Sequence, residues 1–177
     1  MKKITRTTLE ILLFALCIFI DRITKVWAVN NLKDKPAIQI INNVLELYYL
    51  PSGNTGAAFG MLKGHQTLFL LIGLVVVIVI GYILYNMPEN KKYNLLNILL
   101  VLIAAGGVGN MIDRFLQNFV VDFIYISCIN FPIFNVADIY VSVSTVILAI
   151  YILFILKEKD YTELETAIKK PFSRKSK

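Results

Sequence analysis

The residues with most to say about chemistry are acidic and sit in apolar surroundings. Asp122 stands in Phe119-Val120-Val121-Asp122-Phe123-Ile124, and no Lys or Arg occurs anywhere from residue 116 to residue 134. A carboxyl in such a setting keeps its proton to higher pH, because burial disfavours the charged form. If Asp122 approaches Asp138, the two cannot easily ionise together. One keeps a proton and the other becomes a base. That division supplies a general base for water and a general acid for a departing amine. Two carboxylates therefore suffice for peptide hydrolysis, with no metal and no other cofactor. Asp21 and Asp113 are further acids to which the argument extends. Residue types alone leave the choice of pair open, although isolation favours Asp122.

Other catalytic chemistries have little to work with. The single histidine is His65, so a Ser-His-Asp or Cys-His arrangement has one candidate base. Cys17 and Cys128 have no His or Cys neighbour at ligand spacing, and their placement argues against a disulfide.

The polar residues around Asp122 each have an ordinary structural reading. Asp21 with Lys25 is an i,i+4 helix pair, worth a few tenths of a kcal/mol (~0.3–0.5) when exposed. Asp113 beside Arg114 reads as an interfacial ion pair. Asn135 and Asp138 have the spacing of a helix N-cap and its third residue. Gly106, Gly107 and Gly109 read as places where helices pack closely. Asn54 and Asn110 are polar residues near apolar spans, where such groups are costly and therefore informative.

The elements that must position these residues are membrane helices. Of 177 residues, 57% are hydrophobic and 17% charged, and mean hydropathy is +0.67, outside the soluble range. Four apolar runs have spanning length, roughly 18 residues or more: Thr8 to Val29, Gln66 to Met87, Leu95 to Phe115 and Asn135 to Leu156. The first could pass for a cleaved leader, but Asp21, Arg22 and Lys25 follow directly and Trp27-Ala28-Val29 is a poor cleavage site, so it is read as retained. Pro88 ends the second run, and Asn94 is the expected N-cap of the third.

The net charge of +6 sits beside these runs, which points to topology and anionic lipid and away from nucleic acid. Lys2, Lys3 and Arg6, then Lys91 and Lys92, then Lys157, Lys159, Lys169, Lys170, Arg174, Lys175 and Lys177 all fall on one side of a four-span chain. The positive-inside rule makes that side, and both termini, cytoplasmic. Asp21, Arg22, Lys25, Asn54, Asn110, Asp113, Arg114, Asp122, Asn135 and Asp138 then share the outer face. The outer segment at about 30–65 reads as β-rich. Ala37 to Leu50 holds two short strands broken at Asn42-Asn43, with a third strand near Ala57 to Phe59. The expected fold is thus an all-α membrane protein with four transmembrane helices and a small extracytoplasmic β-sheet subdomain. Residues 1–160 form one polytopic domain, and 161–177 a charged cytoplasmic tail in a helix that frays. A small transporter would instead spread its ionisable groups through the membrane depth. An assembly factor would use the glycines to pack on a partner.

Five blocks carry a resemblance: Asp21-Arg-Ile-Thr-Lys25, Asn54-Thr-Gly-Ala-Ala-Phe59, Gly106-Gly-Val-Gly-Asn-Met-Ile-Asp-Arg114, Val120-Val-Asp122-Phe123 and Phe134-Asn-Val-Ala-Asp138. In this order they resemble the signature blocks of lipoprotein signal peptidase (signal peptidase II), from the first helix to the fourth. The resemblance implies a membrane aspartic endopeptidase of the bacterial cell membrane. Such an enzyme removes signal peptides from lipid-modified prolipoproteins by cutting before the diacylglyceryl-modified cysteine. It implies Asp122 and Asp138 as the catalytic pair and Asn54, Asn110, Arg114 and Asn135 as residues lining the substrate site. Asp21, Lys25 and Asp113 are implied as supporting residues. Membrane lipid and a globomycin-type inhibitor are implied partners, and the chain is expected to act as a monomer. Two positions depart from the family pattern: Arg22, where an uncharged polar residue is usual, and Ser52-Gly53, where a branched or charged residue is usual.

Overall fold

The computed structural model describes residues 3–51, 53–56 and 66–173, with side chains as far as Lys169. The chain is mostly helical. Helix α1 covers Lys3–Leu32, α2 Gln66–Asn86, α3 Asn94–Gln117, α4 Val136–Ile150 and α5 Glu158–Ser173. Among the described residues, three stretches are long and apolar enough to cross a membrane: Gln66–Asn86, Lys91–Gln117 and Val136–Ile155. The α2 stretch has a mean hydropathy of 3.0 and buries only Ile80, leaving Leu71, Ile72, Val75 and Ile78 about half exposed or more. So much outward apolar surface is unstable in water and suits a hydrocarbon surround. Helix α1 is continuous over 30 residues but carries Arg6, Glu10, Asp21, Arg22 and Lys25. Its buried residues include Arg6, Asp21 and Lys25.

Helix α3 is central and packs against α1, α2 and α4. Close approach to α4 needs glycine at 106, where a methyl would lie 2.5 Å from the Ala137 carbonyl oxygen. Gly107 faces open space, so the packing role expected of all three glycines does not extend to it. Pro88 follows the end of α2 as expected. Asn94 is not a cap. A 3-10 turn at Lys91–Tyr93 precedes α3, and Asn90 caps that turn by accepting from Lys92 N–H at 3.1 Å. The tighter turn moves the exposed N–H groups upstream, and the cap with them. At its far end α4 runs into a π-helical turn, Tyr151–Ile155, that closes with Leu156 N–H donating to Tyr151 at 3.1 Å.

A small antiparallel sheet sits at the end where α1 stops and α4 starts. Strand β1 (Ile38–Ile41) and β2 (Leu45–Leu47) form the expected hairpin, with Asn43 in the left-handed region at φ 56°. The strand expected near Ala57 to Phe59 falls outside the described residues, and the third strand of the described sheet is one the sequence had not suggested. It is β3, Ile124–Ile126, from the connection after α3, and it pairs with β2 through Leu45↔Ile126 and Leu47↔Ile124. Strand pairing is a long-range choice that local β propensity does not reveal. A core of Ala28, Leu32, Tyr49, Val121 and Phe123 fills the space between sheet and helices. A second core of Ile80, Met87, Tyr93, Leu96, Leu100, Ala104, Tyr151 and Leu156 closes the opposite end.

Candidate active site

The segment that carries Asp122 is fastened along both edges. On one side Asn54 and Val120 exchange backbone bonds at 3.0 and 2.9 Å, and Leu50 N–H donates to the Asp122 carbonyl at 3.1 Å. On the other, Phe123 and Ile124 N–H donate to the Phe134 carbonyl at 3.0 and 2.8 Å. The residue after Phe134 is Asn135, the N-cap of α4. One short β-like zipper therefore brings Asn54, Asp122 and the start of α4 together.

Asn135 joins the two acids. Its Nδ2 donates to Asp122 Oδ1 at 2.6 Å, and its backbone N–H donates to Asp138 Oδ2 at 3.0 Å. Its Oδ1 accepts the Asp138 N–H at 3.0 Å, completing a capping box. The ordinary reading of this pair holds, and the same residue also holds both carboxyls. Asn54 Nδ2 donates to Asp122 Oδ2 at 2.8 Å, and Asn110 Nδ2 donates to Asp138 Oδ1 at 2.8 Å. Asp122 is 1% exposed, whereas Asp138, Asn54, Asn110 and Arg114 are half-buried. The arrangement has an enclosed acid and an accessible one.

Burial pushes the Asp122 carboxyl up to about 7, with further lift from the charge of Asp138. The amides of Asn54 and Asn135, and the more distant charge of Lys25, favour its anion and limit the rise. Both Asp122 oxygens accept a bond from an amide, and each retains a second lone pair for a proton.

Behind this pair lies a buried charge cluster. Lys25 Nζ is 3.0 Å from Asp21 Oδ2 and 3.0 Å from Asp113 Oδ2, and it donates to Asn110 Oδ1 at 2.9 Å. The i,i+4 reading of Asp21 and Lys25 as an exposed pair therefore fails, because both side chains are only 1% exposed. Breaking such a buried pair by removing one partner costs about 3–5 kcal/mol, ten times an exposed pair. Gly109 makes room for it, since a methyl there would lie 2.5 Å from Asp21 Oδ2.

Asp113 does not pair with its neighbour Arg114. Its other partner is Arg22, the first position that departs from the family pattern. Arg114 turns the opposite way, donating to the Gly56 carbonyl at 3.2 Å and lying 4.9 Å above the Phe69 ring. Residues 113 and 114 are a helical step of about 100° apart, so they point to different faces. Gly53 at the second departure has φ 61°, and a side chain there would strike the Phe119 ring at 2.2 Å; only glycine fits. Ser52 and His65 lie outside the described residues.

All nine residues singled out from the sequence thus lie in one contiguous cluster. The sequence placed Arg22 at the outer face but gave it no role, and Gly56 and Phe69 were missed as participants. For Arg22 a signal was available: Asp21, Lys25 and Asp113 leave one buried negative charge over, and Arg22 supplies the balancing cation. The two cysteines are free, Cys17 buried and Cys128 exposed.

With this geometry in view, a family model described as Signal peptidase (SPase) II matches residues 13–154. The chain belongs to the signal peptidase II family. The lipoprotein signal peptidase of Clostridioides difficile (strain 630) is 40% identical over 146 residues, covering 82% of this chain and 95% of that protein. That of Clostridium tetani (strain Massachusetts / E88) is 39% identical over 158 residues, covering 88% and 97%. That of Streptococcus agalactiae serotype III (strain NEM316) is 42% identical over 151 residues, covering 85% and 92%. Two solved structures described as bacterial membrane enzymes, determined by the in meso method at 2.3 and 1.9 Å resolution, superpose with TM-scores of 0.70 and 0.72. They are 31% and 30% identical to this signal peptidase II chain, covering 82% and 84% of it and 87% and 95% of their own lengths. All five blocks read from the sequence fall inside the matched region.

Proposed function

We propose that this bacterial membrane aspartic peptidase, which removes signal peptides from prolipoproteins, does so with Asp122 and Asp138 as its catalytic pair. The observation that carries the assignment is the joint hold of Asn135 on both carboxyls, with neutral amides as their hydrogen-bond partners. Asp122, enclosed and raised to about 7, still holds a proton in a large share of molecules near neutral pH and is the general acid. Asp138, on the accessible side, is the base. It takes a proton from water, the resulting hydroxide attacks the scissile carbonyl, and Asp122 donates its proton to the departing amine as the C–N bond breaks. The pair is restored when the proton on Asp138 passes to Asp122, directly or by release to solvent and uptake of one from solvent by Asp122. Arg114 and the asparagines orient the peptide.

The cut falls before the diacylglyceryl-modified cysteine, whose acyl chains stay in the lipid beside the exposed apolar faces of the helices. In this reading α1 is the fourth membrane span, both termini are cytoplasmic, and the pair faces outward beneath the sheet. The strongly basic loops at the α5 end support that orientation. The enzyme works as a monomer and is blocked by globomycin-type cyclic peptides. Cleavage of a lipidated prolipoprotein in detergent micelles tests the assignment. Asp122→Asn and Asp138→Asn should each abolish it, and near-normal turnover in either variant refutes the pair. An unmodified precursor should not be cut.

A further inference from the structure

Two further carboxylates lie behind the proposed pair, and they grip the backbone at matching points. Asp113 Oδ2 accepts the Val121 N–H at 3.2 Å, one residue before Asp122. Asp21 Oδ1 accepts the Ala137 N–H at 3.2 Å, one residue before Asp138. Lys25 stands between them, 3.0 Å from an oxygen of each, and all three side chains are 1% exposed or less. The amides that precede the two proposed catalytic acids are thus linked by one chain of contacts: Val121 N–H, Asp113, Lys25, Asp21, Ala137 N–H. Two buried carboxylates repel each other, and each would carry its strand or helix with it. A single ammonium between them sets a fixed separation.

Lys25 has a second effect on the same geometry. Asn110 Oδ1 accepts from both Lys25 Nζ, at 2.9 Å, and Asn135 Nδ2, at 3.1 Å. With its oxygen committed, the Asn110 amide can only present Nδ2 to Asp138. Arg22 completes the frame by holding the other oxygen of Asp113.

We propose that Lys25 is a positioning residue for the hydrolysis: by bridging Asp21 and Asp113 it sets the separation of the Asp122 and Asp138 carboxyls and the orientation of the Asn110 amide. The proposal rests on the assignment of those two aspartates as the catalytic pair. Lys25 acts from the enclosed side, without touching the peptide, so its loss falls first on the reacting geometry.

The test is the charge-reduced variant Asp21→Asn/Lys25→Met/Asp113→Asn, assayed on a lipidated prolipoprotein in micelles. The asparagines still accept the two amide protons, so what is lost is the bridge. The three fully buried ions are removed together, and Arg22, which loses its partner at position 113, is 30% exposed and can turn to solvent. The expected result is a fall in kcat of about 100-fold, the scale of a misplacement near 1 Å, with KM within about threefold. Gly109→Ala provides a second route that keeps every charge, since its methyl would press on Asp21 Oδ2. It should lower kcat about tenfold with KM unchanged. A kcat within threefold of wild type in a folded triple variant or in Gly109→Ala, or a loss carried by KM, overturns the positioning role. Asp122→Asn in the same assay separates the two claims. If it is inactive beside a fully active triple variant, only the role of Lys25 falls; if it is active, the catalytic pair itself falls.

Discussion

The two ends of the molecule both bury charge, but they compensate it differently. At the α5 end, Arg6 is enclosed and donates to the carbonyls of Met87 at 2.9 Å, Pro88 at 3.0 Å and Leu84 at 3.3 Å, capping the end of α2. Asp160 pairs with Lys92 and accepts the Lys157 N–H at 2.8 Å, and Tyr93 donates to Glu163 at 2.8 Å. These contacts fasten α5 to the helix ends. The bond and charge of Lys92 hold the Asp160 carboxyl below the usual carboxylate range. At the sheet end, the hydrogen-bond partners of the Asp122 carboxyl are amides, and burial, with the charge of Asp138, pushes it up to about 7. An opposite charge makes an acid inert by fixing its ionised state. Neutral donors beside a like charge leave it able to exchange a proton near neutral pH. Behind the Asp122–Asp138 pair, Asp21 and Asp113 meet Lys25.

Substitutions at the two ends should separate along this line. The largest effect is expected for Asp122→Asn and Asp138→Asn, with cleavage rates down by at least about 1000-fold and folding intact by thermal denaturation.

Next comes Asn135, where cap and site share one side chain. Asn135→Ala should cost about 1 kcal/mol of stability and about 100-fold in kcat. Asn135→Ser restores an N-cap oxygen without the amide donor, so stability should recover and the rate should not. Recovery of both would assign the residue to the helix alone.

A smaller effect is expected at Asn54. Asp122 faces Asp138, Asn54, Asn135, Lys25 and Arg114, and the alkaline limb of kcat/KM should lie near 7, because the acid is lost as Asp122 gives up its proton. The Asn54 bond favours the anion, so its removal in Asn54→Leu should move that limb to higher pH and lower the maximal rate about tenfold. A limb that stays in place would show that a different group sets it.

The smallest effect belongs to the α5 end. Lys92→Met should leave kcat, KM and the pH profile unchanged and slightly lower the thermal midpoint. An altered pH profile in this variant would break the contrast between the ends.

Much of this was legible along the chain. Length and hydropathy mark the helices, because helical hydrogen bonding is local and lipid-facing residues need only be apolar. Sequence order places Asp21, Asn54, Asn110, Asp122 and Asn135 near matching ends of successive helices, so one polar cluster was expected. The hairpin at Asn42-Asn43 was also readable, from its turn residues. Asn94 misled because a 3-10 turn moved the cap to Asn90, a shift of one turn that composition does not encode. The strand that completes the described sheet, Ile124–Ile126, comes from across α2 and α3, too far along the chain for a local pattern to pair it with the hairpin.

By itself, then, the sequence determined a chain of apolar helices with its ionisable chemistry gathered at one end, since those properties follow from residue type and order. It also carried the five ordered blocks that mark the family. Only the tertiary structure decided which of the four aspartates face amides and which face cations. Asp122 and Asp138 meet at Asn135 because Val120–Ile124 is zipped to Leu50, Asn54 and Phe134. Asp21 and Asp113 meet at Lys25 because α1 packs on α3. Each of those contacts joins residues distant in sequence, and their free energy depends on burial and on the few ångströms between charges, which no local pattern records.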